Sequence, residues 1–85
     1  MVDEKVLAGV RDVVGQYAGI SLDAATIDPQ ADLYAAGMTS FASVEVMLGL
    51  EEEFGITFPQ ELIGRATFLS IAAMAEAVST ISSQS

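Results

Sequence analysis

Apolar residues recur at helical spacing along three stretches of this 85-residue chain, and this period constrains the fold more than any other feature. In the first stretch, 3–17, the apolar side of the helical wheel consists of Val6, Leu7, Val10, Val13, Val14 and Tyr17. The period returns over 40–54. It returns again over 67–81, where one side of the wheel consists of Phe68, Ile71, Met74, Ala75, Val78 and Ile81. Because no stretch alternates apolar and polar residues as a half-buried strand does, the sequence predicts an all-α fold.

The segments between these stretches complete the predicted architecture. Gly55 follows the middle helix as a glycine C-cap does, Pro59 opens a short helix over 59–65, and Thr67 is placed to cap the last helix. Residues 18–39 lack a helical period, and a loop of that length is ordered only when buried side chains hold it. The candidates for that role are Ile20, Leu22, Ile27, Leu33 and Tyr34. We predict one domain over 1–85, a small bundle of three long helices and one short helix with a long first loop.

Composition excludes several classes of function. Three Lys and Arg residues stand against 12 Asp and Glu residues, and the resulting net charge of −9 repels nucleic-acid phosphates and anionic membranes. The chain has no His and no Cys, so it lacks the usual general base, the thiol nucleophile and the soft metal ligands. We therefore expect a cytoplasmic, monomeric protein that is not an enzyme and that binds neither metal, nucleic acid nor membrane.

The middle helix carries two apolar groups instead of one. The first is the expected core face and consists of Val46, Met47, Leu50 and Phe54. The second consists of Phe41, Val44 and Leu48, interleaved with Glu45, Glu51 and Glu52. Because carboxylates are rarely buried without partners, we predict that the second group faces outward and docks a basic, partly apolar partner. The alternative is that Val44 and Leu48 belong to the core and pack against the long loop.

The start of the middle helix is the most informative position for chemistry. Residues 37–41 read Gly-Met-Thr-Ser-Phe, which places the Ser40 hydroxyl beside unpaired backbone N–H groups and the positive end of the helix dipole. That environment favours an attached phosphate. The alternative is that Thr39 or Ser40 is an N-cap residue and has no further role.

The residues from Asp32 to Pro59 resemble the acyl carrier protein family. The resemblance depends on Ser40 at the helix start, on the Val-Glu pair at 44–45 and on the Leu-Glu-Glu-Glu-Phe-Gly-Ile run at 50–56. It covers residues 31–81 and, with the first helix, the whole domain. It implies that a phosphopantetheinyl transferase attaches 4′-phosphopantetheine to Ser40 and that the terminal thiol of this arm carries a thioester.

This sequence departs in two respects from the usual acyl carrier protein motif, and the departures indicate a particular subfamily. The triplet that usually reads Asp-Ser-Leu is Thr39-Ser40-Phe41 here, and the next position, often acidic, is Ala42. Residues 31–37, 40–44 and 47–49 look closer to the small aminoacyl carrier proteins, which are charged by amino acid:[carrier protein] ligases that resemble seryl-tRNA synthetases. This likeness implies a carrier of a small activated amino acid, such as glycine or alanine, which a downstream acceptor enzyme removes. The implied partner contacts are Thr39, Phe41, Ala42, Val44, Glu45, Leu48, Glu51 and Glu52.

Two other functions stay open at this point. A fatty-acyl or polyketide carrier would need a cavity between the helices that accommodates a lipid. An acidic helical adaptor without a prosthetic group would use Ser40 only as a helix cap. The acyl group that the protein accepts distinguishes a fatty-acyl or polyketide carrier from an aminoacyl carrier. The intact mass after treatment with a transferase distinguishes an adaptor from either kind of carrier.

Overall fold

Helices are the only regular secondary structure in the residues that the structure describes. The structure is a computed structural model and describes residues 3–20 and 23–84. Helix α1 spans Glu4–Tyr17, α2 spans Ser40–Phe54, α3 spans Arg65–Phe68 and α4 spans Ile71–Gln84, with a 3₁₀ turn at Gln60–Leu62. Since these ranges contain four α-helices and no strand, the prediction of an all-α fold with three long helices and one short helix is confirmed.

The ends of α1 and α2 follow from local chemistry. The Asp3 carboxylate accepts a hydrogen bond from the backbone N–H of Lys5 at 2.9 Å and caps α1. Gly55 has a left-handed backbone with φ of 63°, and its N–H donates to the carbonyl of Glu51. Only glycine adopts this conformation without a steric penalty, so the predicted glycine C-cap is confirmed.

The last helix differs from its prediction. It begins at Ile71 and not at residue 67, and Thr67 lies inside α3 and does not cap α4. In an unbroken helix the carbonyl of Leu69 would accept the N–H of Ala73. Instead the Leu69 carbonyl accepts the N–H of Leu33 at 2.8 Å, and the Ser70 hydroxyl accepts the N–H of Ala73 at 3.1 Å. The long loop thus occupies a break in the helix that the apolar period does not reveal.

The short helix predicted over 59–65 is reduced to the 3₁₀ turn. Its two backbone hydrogen bonds, from Leu62 to Pro59 and from Ile63 to Gln60, each join residues three apart. Gly64 then has a fully extended backbone. Because glycine is a poor helix former, Gly64 separates the 3₁₀ turn from α3.

The core lies between α1, α2 and α4. Its largest fully buried side chains are Val10, Val14, Leu33, Val46, Leu50, Ile71, Met74 and Val78. Phe58 and Phe68 pack beside them with tilted rings whose centroids are 5.4 Å apart. Tyr17 departs from the predicted apolar side of α1, since it is 40% exposed at the end of the helix. Burial of the apolar side of α1 stabilises this helix, whose valines are mediocre helix formers.

Residues 18–39 form an ordered loop, as far as the structure describes them. Ile27 and Leu33 are buried, and Ile20 and Tyr34 pack partly buried against the core, whereas Leu22 lies outside the described residues. Arg11 lies opposite the apolar side of the α1 wheel, yet it is part-buried. Its guanidinium donates to the carbonyls of Ala24 at 2.9 Å and Ile27 at 2.8 Å. Both the buried side chains and the hydrogen bonds from Arg11 therefore hold this loop in place.

Aspartates organise the same loop locally. The carboxylate of Asp23 accepts the N–H of Ala25, that of Asp28 accepts the N–H of Gln30, and that of Asp32 accepts the N–H of Ala35. Such short-range bonds favour turns over helix. The loop is thus a succession of turns that leads the chain to the start of α2.

Candidate functional site

Ser40 is the first residue of α2, and its side chain is exposed. The preceding residue, Thr39, has an extended backbone, and its hydroxyl accepts a hydrogen bond from the N–H of Ala42 at 3.0 Å. Within the described residues the Ser40 hydroxyl has no hydrogen-bond partner. Thr39 is therefore the N-cap, and the Ser40 hydroxyl is free for chemistry.

The segment before Ser40 is fixed to the interior. Met38 is buried, and its N–H donates to the carbonyl of Leu33 at 3.0 Å. Leu33 is itself fully buried, and its N–H donates to Leu69 at the break before α4. Ser40 consequently stands at a defined place on the surface although it follows a long loop.

The second apolar group of α2 faces solvent. The exposed fractions are 76% for Phe41, 55% for Leu48 and 49% for Val44. The prediction that this group looks outward is confirmed, and the alternative that Val44 and Leu48 belong to the core is wrong. We call these three residues the docking face, since exposed apolar patches of this kind mark interaction sites.

The other predicted contact residues divide into two groups. Thr39, Glu45 and Glu52 are exposed, whereas Ala42 packs partly buried against the core. The carboxylate of Glu51 accepts the backbone N–H of Phe58 at 2.8 Å. Glu51 therefore holds the segment after α2 in place, and its role as a partner contact stays a prediction.

A cavity of about 340 Å³ adjoins Ser40 on the side of α2 that faces α3. We call it the Ser40 cavity, and its lining includes Ser40, Ser43, Met47, Tyr34, Ile63 and Arg65. The last three come from other elements, and sequence reasoning did not assign them to the site. Ile63 is apolar and 50% exposed, but that exposure is visible only in the structure.

A smaller groove of about 160 Å³ lies on the other side of α2, against α1. This α1 groove is lined by Tyr17, Glu45, Leu48, Gly49 and Glu52. A Cβ atom on Gly49 would lie 2.8 Å from the Tyr17 ring, so the missing side chain lets that ring approach α2. The groove combines two carboxylates with an aromatic ring, a combination that suits a cationic side chain.

Within 3–20 and 23–84, no group of three or more Asp and Glu side chains could hold a metal ion. None of the helices in those ranges has both the length and the apolar character needed to cross a membrane.

Comparison with known proteins identifies the family. Residues 8–78 match the family described as "Phosphopantetheine attachment site". The aminoacyl carrier protein of Agrobacterium fabrum is 45% identical over 74 residues, which are 87% of this chain and 89% of that protein. The chain belongs to the aminoacyl carrier proteins. Aminoacyl carrier protein 2 of Bradyrhizobium diazoefficiens is 40% identical over 86% of this chain and 78% of its own length.

Solved structures of carrier proteins share the fold. One is the Agrobacterium tumefaciens carrier protein complexed with an engineered Bradyrhizobium japonicum glycine:[carrier protein] ligase and ATP. It is 43% identical, has a TM-score of 0.85 and matches 89% of this chain and 99% of its own. A second structure holds the Bradyrhizobium japonicum ligase with a glycylated carrier protein; it is 33% identical, with a TM-score of 0.73, over 86% of this chain and 97% of its own.

The cofactor of this carrier protein family is 4′-phosphopantetheine, and the start of α2 fits such a group. The Ser40 hydroxyl is exposed and without a partner in the described residues, and the first turn of α2 contains no acidic residue. Arg65 adds a cation to the adjoining cavity. Hydroxyl, helix start and guanidinium together suit the attachment of an anionic group.

Proposed function

We propose that Ser40 bears the phosphopantetheine arm of this aminoacyl carrier protein and that the amino acid held there is glycine. The observation that carries the proposal is the Ser40 hydroxyl, exposed and unbonded at the start of α2 while Thr39 does the capping. The group, when bound, supplies the terminal thiol that holds the amino acid. Glycine is favoured because a structural relative is a glycylated carrier protein, and alanine is the alternative that the loading test includes.

The chain's own contribution is to hold and present, and enzymes that dock on it perform the chemistry. A tethered substrate has a high effective concentration at an enzyme that binds its carrier. We propose that a transferase, an amino acid:[carrier protein] ligase and an acceptor enzyme each recognise the docking face in the cytoplasm. The exposed carboxylates of Glu45 and Glu52 would then steer basic surfaces toward it, which raises the association rate more than the affinity.

Intact-mass analysis tests the attachment site. The wild-type chain, co-expressed with a phosphopantetheinyl transferase, should gain the mass of one phosphopantetheine group. Ser40→Ala should gain nothing. Ser43→Ala is the matched control, because that hydroxyl lies on the same helix but donates to the carbonyl of Ser40 at 2.7 Å. A wild-type chain that stays unmodified would favour the adaptor without a prosthetic group.

Loading tests the amino acid. The modified protein should gain the mass of one glycine residue when incubated with glycine, ATP and a glycine:[carrier protein] ligase, and hydroxylamine should remove that mass. Alanine with an alanine-activating ligase is the parallel reaction. A modified chain that accepts fatty acyl groups and refuses both amino acids would instead establish a fatty-acyl carrier.

A further inference from the structure

Among the residues that the structure describes, Arg65 is a cation without a carboxylate partner. The chain has only three cationic side chains, and within the described residues no carboxylate lies within ion-pair distance of Arg65. Its guanidinium carbon instead lies 4.1 Å from the centroid of the Tyr34 ring. The other arginine, Arg11, is bound to two loop carbonyls. Arg65 is exposed, and within the described residues its guanidinium contacts an aromatic ring and no carboxylate, although the chain has 12 acidic residues.

The position of Arg65 indicates a role for its guanidinium. Arg65 and Ser40 line the same cavity, and no acidic residue of the described ranges lines it. A phosphodiester attached to the Ser40 oxygen is anionic at neutral pH. It would therefore adjoin one cation and no carboxylate on this side of α2, whereas Glu45 and Glu52 line the groove on the other side.

Given the proposed attachment at Ser40, we propose that Arg65 binds the phosphodiester of the arm and so directs the arm along the Ser40 cavity. Guanidinium groups pair with phosphate through two parallel N–H donors, which gives direction as well as attraction. Arg65 is a positioning residue here, since it sets where the arm leaves the protein surface and takes no part in the transfer of the amino acid.

Tyr34 supports this role by ordering the guanidinium in advance. The ring is half-buried, and the adjacent Leu33 is anchored to Leu69. A guanidinium stacked on a fixed ring loses less conformational entropy when it pairs with an anion. Within the described residues the Arg65 guanidinium donates no hydrogen bond, so its N–H groups are available to a phosphate oxygen.

Side-chain NMR of the apo and phosphopantetheine-bearing forms tests the proposal directly. The chain has two arginines, so two Nε–H signals are expected, and Arg65→Lys assigns them. Attachment of the arm should shift the Arg65 signal and slow its exchange with water, while the Arg11 signal stays in place. The shift should diminish as the salt concentration rises, because the pair is partly exposed.

A stability measurement gives a second readout with a matched control. Attachment of the arm should raise the melting temperature of the wild type by roughly 2 to 4 °C, as expected for one partly exposed ion pair in a chain of this size. Arg65→Gln should lose this gain. Lys5→Gln, which removes an exposed cation on α1, should keep it.

The possible outcomes separate the two proposals. A wild-type chain that gains no mass with the transferase would overturn the attachment at Ser40. A fully modified wild type with an unmoved Arg65 signal, or with equal thermal gains in Arg65→Gln and Lys5→Gln, would overturn the role of Arg65 alone. Because the NMR comparison uses the wild-type fold, it decides the question even if Arg65→Gln fails to fold.

Discussion

The two sides of α2 differ in charge although they belong to one helix of 15 residues. Of the described residues that line the Ser40 cavity, none is acidic and one, Arg65, is a cation. Of those that line the α1 groove, Glu45 and Glu52 are acidic and none is a cation. The docking face lies along the same helix, with Val44 lining the cavity and Leu48 lining the groove. A single helix can thus offer one side to an anionic arm and the other to a basic partner.

The largest expected effect is on the free energy of unfolding, when a core leucine of α2 and a leucine of the docking face are each replaced by alanine. Leu50→Ala should lower the free energy of unfolding by roughly 2 to 5 kcal/mol, because Leu50 is fully buried and its loss leaves a cavity. Leu48→Ala should change it by no more than about 0.5 kcal/mol while weakening ligase binding. Urea denaturation measures both. Equal losses of stability would mean that the outer side of α2 is packed and not offered to partners.

The next effect tests how tightly each side of α2 is packed. Gly49→Ala should cost roughly 1 to 3 kcal/mol, because its Cβ would lie 2.8 Å from the side chains of Tyr17 and Val13. Gly64→Ala, beside the Ser40 cavity, should cost less than about 1 kcal/mol, since a Cβ there meets nothing within 4 Å. Thermal melts of the pair give the comparison. If Gly64→Ala proved the costlier change, the α1 groove would not be the closely packed side.

The acidic side can be tested through association kinetics. The double variant Glu45→Gln and Glu52→Gln should slow association with the ligase roughly tenfold at low salt, and the difference should shrink as salt is added. The matched control is the double variant Glu53→Gln and Glu61→Gln, whose carboxylates are exposed but do not line the groove. Stopped-flow measurements at two ionic strengths compare them. Equal slowing in both doubles would show that net charge steers the partner, with no contribution from the groove.

The smallest effect concerns the helix start, where the two sides meet. Thr39→Ala should cost about 1 kcal/mol, because its hydroxyl accepts the N–H of Ala42. Ser40→Ala should be nearly neutral for folding, since that hydroxyl makes no hydrogen bond in the described structure. Denaturant titration of the apo forms compares the two. A loss for Ser40→Ala as large as that for Thr39→Ala would mean that the serine hydroxyl is held by the fold.

Much of the fold and one part of the site could be predicted from the sequence. Helical periodicity identified the buried sides of α1, α2 and α4, because burial of a regular helix leaves a regular pattern. It also identified the outward-facing group on α2, since the interleaved carboxylates opposed burial. The predicted exposure of Phe41 and Leu48 is confirmed, because that prediction needed only the residue pattern of α2 itself.

The features that were missed depend on contacts between distant parts of the chain. Arg11 seemed a solvent residue on the helical wheel, yet it reaches the carbonyls of the loop. The break at residues 69–70 is invisible to periodicity, because Phe68 and Ile71 stay on the apolar side of one continuous wheel. Arg65 enters the Ser40 cavity from another helix, and no local pattern links the two residues.

The docking of the long loop into the break before α4 has a consequence for biosynthesis. The N–H of Leu33 requires the carbonyl of Leu69, and the carbonyl of Pro29 requires the N–H of Ala72. A nascent chain emerging from the ribosome lacks both anchors until residue 72 has been made, and domains fold as units once their last contacts are available. We expect the surface around Ser40 to form late in translation, so that the transferase proposed above would act on chains that have already passed that point.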